Sequence, residues 1–179
     1  SEGYDLAFRV GEPKDSSFIA RKIARNRMLL LASPEFIKTY GMPKHVEDLK
    51  ELPAASYSSP SKRISGIRYR NAGGDIIEQD IKSVFRANDA EVLLMKAISG
   101  NAYVLAPAFI LDDEVKRGDL VPILTDMELL DYSAVYAVYP HRDLPVRTRL
   151  FFDAMREYIG KDVPVWEANI PDFDTMYKG

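Results

Sequence analysis

The chain has 179 residues, 46% of them apolar and 28% charged, with a formal net charge of −3; that excludes general disorder and allows one ordinary domain or two small lobes. Lys and Arg total 24 against 27 Asp and Glu, so these residues alone lack the basic excess that tracks nucleic-acid phosphates. With no cysteine and only His45 and His141, disulfides, thiolate zinc sites, thiol nucleophiles and a histidine-rich metal site are excluded, and no apolar run, Met28–Ala32 included, comes near the length that crosses a bilayer.

Residues 4–10 alternate apolar Tyr4, Leu6, Phe8 and Val10 with Asp5, Ala7 and Arg9, a period of two that predicts a strand. Gly11, Pro13 and Asp15-Ser16-Ser17 end it with turn chemistry. A chain that opens directly in a strand, with no basic and apolar leader before it, reads as a cytoplasmic protein and as a piece of something longer. Residues 27–33 (RMLLLAS) form a near-continuous apolar run, the pattern of a strand covered on both faces in a parallel sheet. Ser33 then offers a helix cap, Pro34 a first helical residue, Glu35 a charge that complements the helix dipole, and Gly41 a stop. Residues 46–52 predict a second short helix ended by Pro53, and residues 54–59 a strand.

Residues 64–70 and 75–80, joined by Asn71-Ala72-Gly73-Gly74, predict a β-hairpin, and residues 82–87 another strand. Asn88 followed by Glu91 predicts a capping box for a helix with Leu93, Leu94, Ala97 and Ile98 on its apolar face and Gly100 at its end. Residues 103–106 predict a strand, 107–117 a helix closed by Gly118, and 120–124 a strand. Residues 133–139 (SAVYAVY) are the most strand-like of all, and Pro140 stops them. The last clear helix covers 145–159, where Val146, Leu150, Ala154 and Tyr158 fall at i, i+4 spacing and Phe151 and Met155 widen the stripe. Residues 161–179, with Trp166, Pro164 and Pro171, read as an extended tail. Alternating strands and helices predict an α/β fold with mainly parallel sheets, in which about half the chain from residue 54 on forms one lobe and 133–139 returns to the other.

In open α/β sheets, ligands sit at the carboxyl ends of strands, where helix N-termini present free N–H groups. The Arg9-Val10-Gly11 strand end, Ser33-Pro34-Glu35 and Asn88-Asp89-Ala90 are the candidates. Spacing alone favours the plainer reading, in which Arg9 is solvated and Ser33 and Asn88 only cap their own helices, with Glu35, Asp89 and Glu91 discouraging an anion. Catalytic constellations are weaker still. No G-x-S-x-G elbow frames a serine, His141 has no evident nucleophile beside it, and Asp112-Asp113-Glu114 diverge by roughly 100° each on a helix. Gly73-Gly74 has no lysine or helix after it and reads as a turn rather than a phosphate loop.

Several stretches together carry a resemblance: residues 2–11 (EGYDLAFRVG), Asp15-Ser16-Ser17 then Ala20-Arg21-Lys22-Ile23, residues 31–36 (LASPEF), Glu47-Asp48-Leu49, residues 84–91 (VFRANDAE), residues 100–107 (GNAYVLAP), residues 118–122 (GDLVP) and residues 136–140 (YAVYP). Their order resembles the effector-binding domain of LysR-type transcriptional regulators, from the first residues to about 160. The resemblance implies a two-lobed fold like the type 2 periplasmic binding proteins, with the first lobe incomplete: residues 1–53 in the first lobe, 54–131 in the second, 132–160 back in the first, and 161–179 a tail. It also implies a small effector in a cleft between lobes, contacted by Arg9, Val10, Ser56, Tyr57, Asn88, Asp89, Pro107 and Phe109. No cofactor, metal or catalytic residue is implied. A leading βαβ unit and a DNA-binding helix-turn-helix belong to the family's pattern ahead of residue 4, and the intact regulator is expected to self-associate. A solute-binding protein for transport would share this fold, and an enzyme on the same scaffold is a third reading; the expected function is effector sensing without bond making.

Overall fold

The computed structural model describes residues 5–11, 13, 17–60, 62–140, 145–160 and 162–178. In chain order the elements are β1 (Ala7–Val10), β2 (Ile19–Arg25), β3 (Met28–Ala32), α1 (Pro34–Tyr40), a 3-10 helix (Val46–Lys50), β4 (Pro53–Tyr57), β5 (Gly66–Arg70), β6 (Ile76–Asp80), β7 (Lys82–Ala87), α2 (Ala90–Ile98), β8 (Tyr103–Pro107), a 3-10 turn (Ala108–Ile110), α3 (Glu114–Arg117), β9 (Val121–Pro122), β10 (Glu128–Leu129), β11 (Ala134–Tyr139) and α4 (Val146–Ile159). Two 3-10 turns, Val165–Asn169 and Phe173–Thr175, shape the tail that was expected to be extended.

The chain divides into two compact units. The first comprises Ser1–Arg27 and Asp131–Ala168, the second Met28–Leu130 and Asn169–Gly179. The first passage therefore falls at Arg27, ahead of the expected boundary at residue 53. The reason is β3, whose strand partners, β8 and β9, both lie in the second unit.

The first unit is a three-stranded sheet in the order β1-β11-β2, antiparallel throughout. Ile23, Ala24 and Ala137 from the sheet bury Phe152 and Ile159 of α4, with Leu6, Phe8, Val135, Met155 and Trp166 packed around them. Strand β2 escapes sequence reading because a register shift opposite Val135 and Tyr136 breaks its alternation of buried and exposed residues. Helix α4 turns a different face inward than the one expected. Thr148, Phe152 and Ile159 are buried with Met155 beside them, whereas Val146, Leu150 and Tyr158 are 74%, 65% and 70% exposed and Phe151 is also exposed. The helix carries two apolar stripes, and spacing alone selected the outer one.

The second unit is built on a five-stranded sheet in the order β7-β4-β8-β3-β9, with a second sheet of β10-β5-β6. Only β4 pairs in parallel, with β7 and with β8; β3 runs antiparallel to both β8 and β9. The expectation of mainly parallel sheets is thus corrected in both units among the described residues. A run as apolar as β3, buried along its whole length, reports cover on both faces and not strand direction. Leu29, Leu30 and Leu31 of β3, Phe36 of α1, Tyr103 and Val104 of β8, and Leu49, Leu120 and Ile123 are all fully buried around this sheet. The expected hairpin forms as β5–β6, with Tyr69 opposite Ile77 and Arg70 opposite Ile76. The helix expected over 107–117 splits, because Leu111 goes extended and buries its side chain between the Ala108–Ile110 turn and α3. The strand expected over 120–124 shrinks to Val121–Pro122, since Leu124 adopts a positive φ and turns the chain away.

Candidate functional site

The parallel strands β7, β4 and β8 lie side by side and end at the same edge of the second unit's sheet. Neighbouring strands are about 4.8 Å apart, so three adjacent strand ends fall within roughly 10 Å. Tyr57 ends β4, Ala87 ends β7 with Asn88 next, and Pro107 ends β8 with Phe109 in the turn that follows. The Ser58 N–H donates to the Ala87 carbonyl at 2.9 Å and fastens the first two ends together. Six of the expected positions, Ser56, Tyr57, Asn88, Asp89, Pro107 and Phe109, thereby converge on one edge. Asn88 and Phe109 are exposed there and Tyr57 is half-buried.

Two of these side chains are already engaged. Ser56 is 3% exposed, and its hydroxyl lies 2.6 Å from that of Ser83 on β7. Asp89, rather than Asn88, caps α2: its carboxylate accepts from the N–H groups of Glu91 at 2.9 Å and Val92 at 3.4 Å. That carboxylate satisfies two of the helix's free N–H groups and brings negative charge to its positive end, so α2 is not an open anion site. Lys96, about two turns beyond the cap, sits 5.4 Å from the Phe85 ring centroid, a cation–π contact that ties α2 to β7. Ser83 and Phe85 were missed because only the parallel register of β4 against β7 brings them into this neighbourhood.

Ser33 is separated from this edge by strand direction. It follows β3, which runs antiparallel to β8, so Met28 rather than Ala32 lies beside Pro107. Its side chain accepts from the Phe36 N–H at 3.2 Å, the cap that spacing predicted. Arg9 and Val10 belong to the other unit. Both are exposed on β1, opposite Tyr136 and Val135 of β11.

The acidic run 112–114 resolves into local contacts. The Asp112 N–H donates to the Glu114 carboxylate at 2.8 Å, and Asp113 pairs with Arg117, which also holds Asp119 at 2.8 Å. Among the described residues no group of three or more His, Asp or Glu side chains could hold a metal, and no helix is long and apolar enough to cross a membrane. His141, Asp15 and Ser16 lie outside the described residues.

Residues 1–160 match the LysR substrate binding domain family. An HTH-type transcriptional regulator of Haemophilus influenzae is 32% identical over 152 residues, which is 82% of this chain and 50% of that protein. The regulatory domain of CrgA, a LysR-type transcriptional regulator from Neisseria meningitidis, superposes with a TM-score of 0.72 at 29% identity, over 89% of this chain and 81% of that one. The full-length virulence activator AphB of Vibrio cholerae gives 0.72 at 29% identity, covering 87% of this chain and 52% of AphB. The chain spans about half the length of the curated relatives it matches, and those named here are transcriptional regulators.

Proposed function

The chain belongs to the LysR substrate-binding domain family, the effector-binding part of LysR-type transcriptional regulators, and from that premise we propose that it binds a small-molecule effector at the carboxyl edge of β4, β7 and β8. The observation that supports this placement is the convergence of Tyr57, Asn88 and Phe109 at the ends of three adjacent strands. Tyr57 and Asn88 supply polar groups at that edge, and Phe109 supplies an apolar wall. Asp89 holds the start of α2 in place, and Ser56 is a positioning residue that acts through Ser83.

The reaction class is binding, not bond making. An effector shifts the equilibrium between arrangements of the regulator only by its difference in affinity for them. DNA contact would come from a helix-turn-helix carried outside these 179 residues, in a cytoplasmic regulator that works as a homo-oligomer, a two-fold dimer being the simplest closed form.

A thermal-shift screen of carboxylic acids, amino acids and sugars tests the site. A ligand at a hundred times its Kd stabilises by about 2.7 kcal/mol, which raises the melting point by roughly 5–10 °C in a chain of this size. A hit should be lost in Asn88→Ala and weakened in Tyr57→Phe. A hit that both variants retain in full would move the site elsewhere.

A further inference from the structure

Helix α4 and strand β1 belong to the same unit, and each presents an open side. On α4, Val146, Leu150, Ala154 and Tyr158 stand four residues apart, so each is turned by roughly 40° from the one before and together they wind along one flank of the helix. All four are exposed, over a stripe about 18 Å long. Phe151 widens the stripe toward β1, where its ring meets that of Phe8 edge-on at 6.3 Å. Arg147 reaches Asp5, just ahead of β1, at 3.6 Å. Strand β1 itself is paired with β11 on one side and, among the described residues, with no strand on the other. Ala7, Arg9 and Val10 are exposed along it. Apolar surface next to a free strand edge is the kind of surface that takes up a partner.

The charges around the stripe select the partner. Arg147 and Arg149 lie in the first half of α4, and Asp153 and Glu157 in the second, with Arg156 between them. A membrane surface favours helices whose polar face is basic, and this face carries both signs. A second α4 laid antiparallel matches both the apolar and the charged pattern. About a two-fold axis level with Phe152, Leu150 meets Ala154 of the second copy, Val146 meets Tyr158 of the second copy, and Arg149 comes alongside Asp153 of the second copy. Each contact is made twice, as a two-fold axis requires, and the two helix dipoles oppose each other. Parallel pairing would instead set each arginine against its own counterpart.

We propose that the outer stripe of α4 is a self-association surface, on which a second copy of this chain packs its own α4 antiparallel, with Phe151 and the β1 edge at the margin of the contact. One helix pair buries less than the roughly 1,200 Å² of a standard interface, so the dimer is weak, with a Kd of about 10–100 µM, and the chain is monomeric when dilute. The surface rests on the reading of the protein as a homo-oligomer, and it is independent of where the effector binds.

Sedimentation velocity of the full 179-residue chain, from about 1 to 300 µM, tests the surface. The mass should rise from 20.2 kDa toward twice that value and stop there. Leu150→Glu/Tyr158→Lys, which leaves the buried Phe152 and Ile159 in place, should stay at the monomer mass throughout, and far-UV circular dichroism checks its fold. If that variant loses its fold, the charges decide. Asp153→Arg should weaken the dimer about tenfold, and Arg149→Asp/Asp153→Arg should restore it, a rescue that altered solubility would not produce. A parent chain that stays monomeric at the top of the range overturns both the surface and the self-association of this chain. A dimer that the variants leave undiminished overturns the surface alone, and growth past the dimer contradicts a closed two-fold contact.

Discussion

Two buried tyrosines link single residues to pH. Tyr103 donates toward the Leu49 carbonyl at 3.4 Å and Tyr177 bonds the backbone of Leu30 and Ile123; burial pushes both phenols well above the ordinary tyrosine range. Below about pH 10 the phenols are protonated in folded and unfolded chains alike, so they make stability independent of pH there. Above it the unfolded chain releases protons that the folded chain retains, and the balance tips toward unfolding. Urea midpoints measured from pH 8 to 11 should be flat up to about 10 and then fall, and the fall should flatten in Tyr103→Phe/Tyr177→Phe; an equally steep fall in that variant would assign it to other groups. Residue-level signals were otherwise readable wherever the chemistry is local. Ser33 caps α1, and Gly41 and Gly118 end their helices at positive φ. The cap of α2 was misplaced by one residue because Asn88 and Asp89 are both good caps, and only the backbone path decides between them.

Among the elements, α4 separates pattern from packing most clearly. Its two apolar stripes predict opposite mutational outcomes. Phe152→Ala, on the sheet side, should cost about 3–5 kcal/mol, whereas Leu150→Ala, on the outer side, should stay within roughly 0.5 kcal/mol of the parent. Chemical denaturation of the two variants checks this, and the reverse ranking would mean that the outer stripe is the packed one. The hairpin and β7 were legible because their turn residues and alternation are local signals. Strand direction was not. The apolar run of β3 fits burial between neighbours of either sense, and its antiparallel course is what carries Ser33 away from Tyr57 and Pro107. The six-residue convergence at the candidate site was legible through family resemblance, while the Ser56–Ser83 contact needs the long-range register of β4 and β7, which no local pattern encodes.

For the molecule as a whole, the two units differ in how well they close. The second surrounds β3 with neighbours until its whole length is buried; the first, among the described residues, has three antiparallel strands, an edge strand with exposed Arg9 and Val10, and one α-helix with an uncovered stripe. Native-state hydrogen exchange should therefore find the slowest amides in β3 and β8 and faster exchange in β1, with the first unit opening at lower free energy. Equal protection in β1 and β3 would contradict that ranking. The outer stripe of α4 also bears on how the chain behaves in bulk. Hydrocarbon held against water becomes less tolerable as sulfate or phosphate is added, so salting-out should begin at lower concentrations than for the charge-substituted Leu150→Glu/Tyr158→Lys chain, and the precipitate should redissolve on dilution.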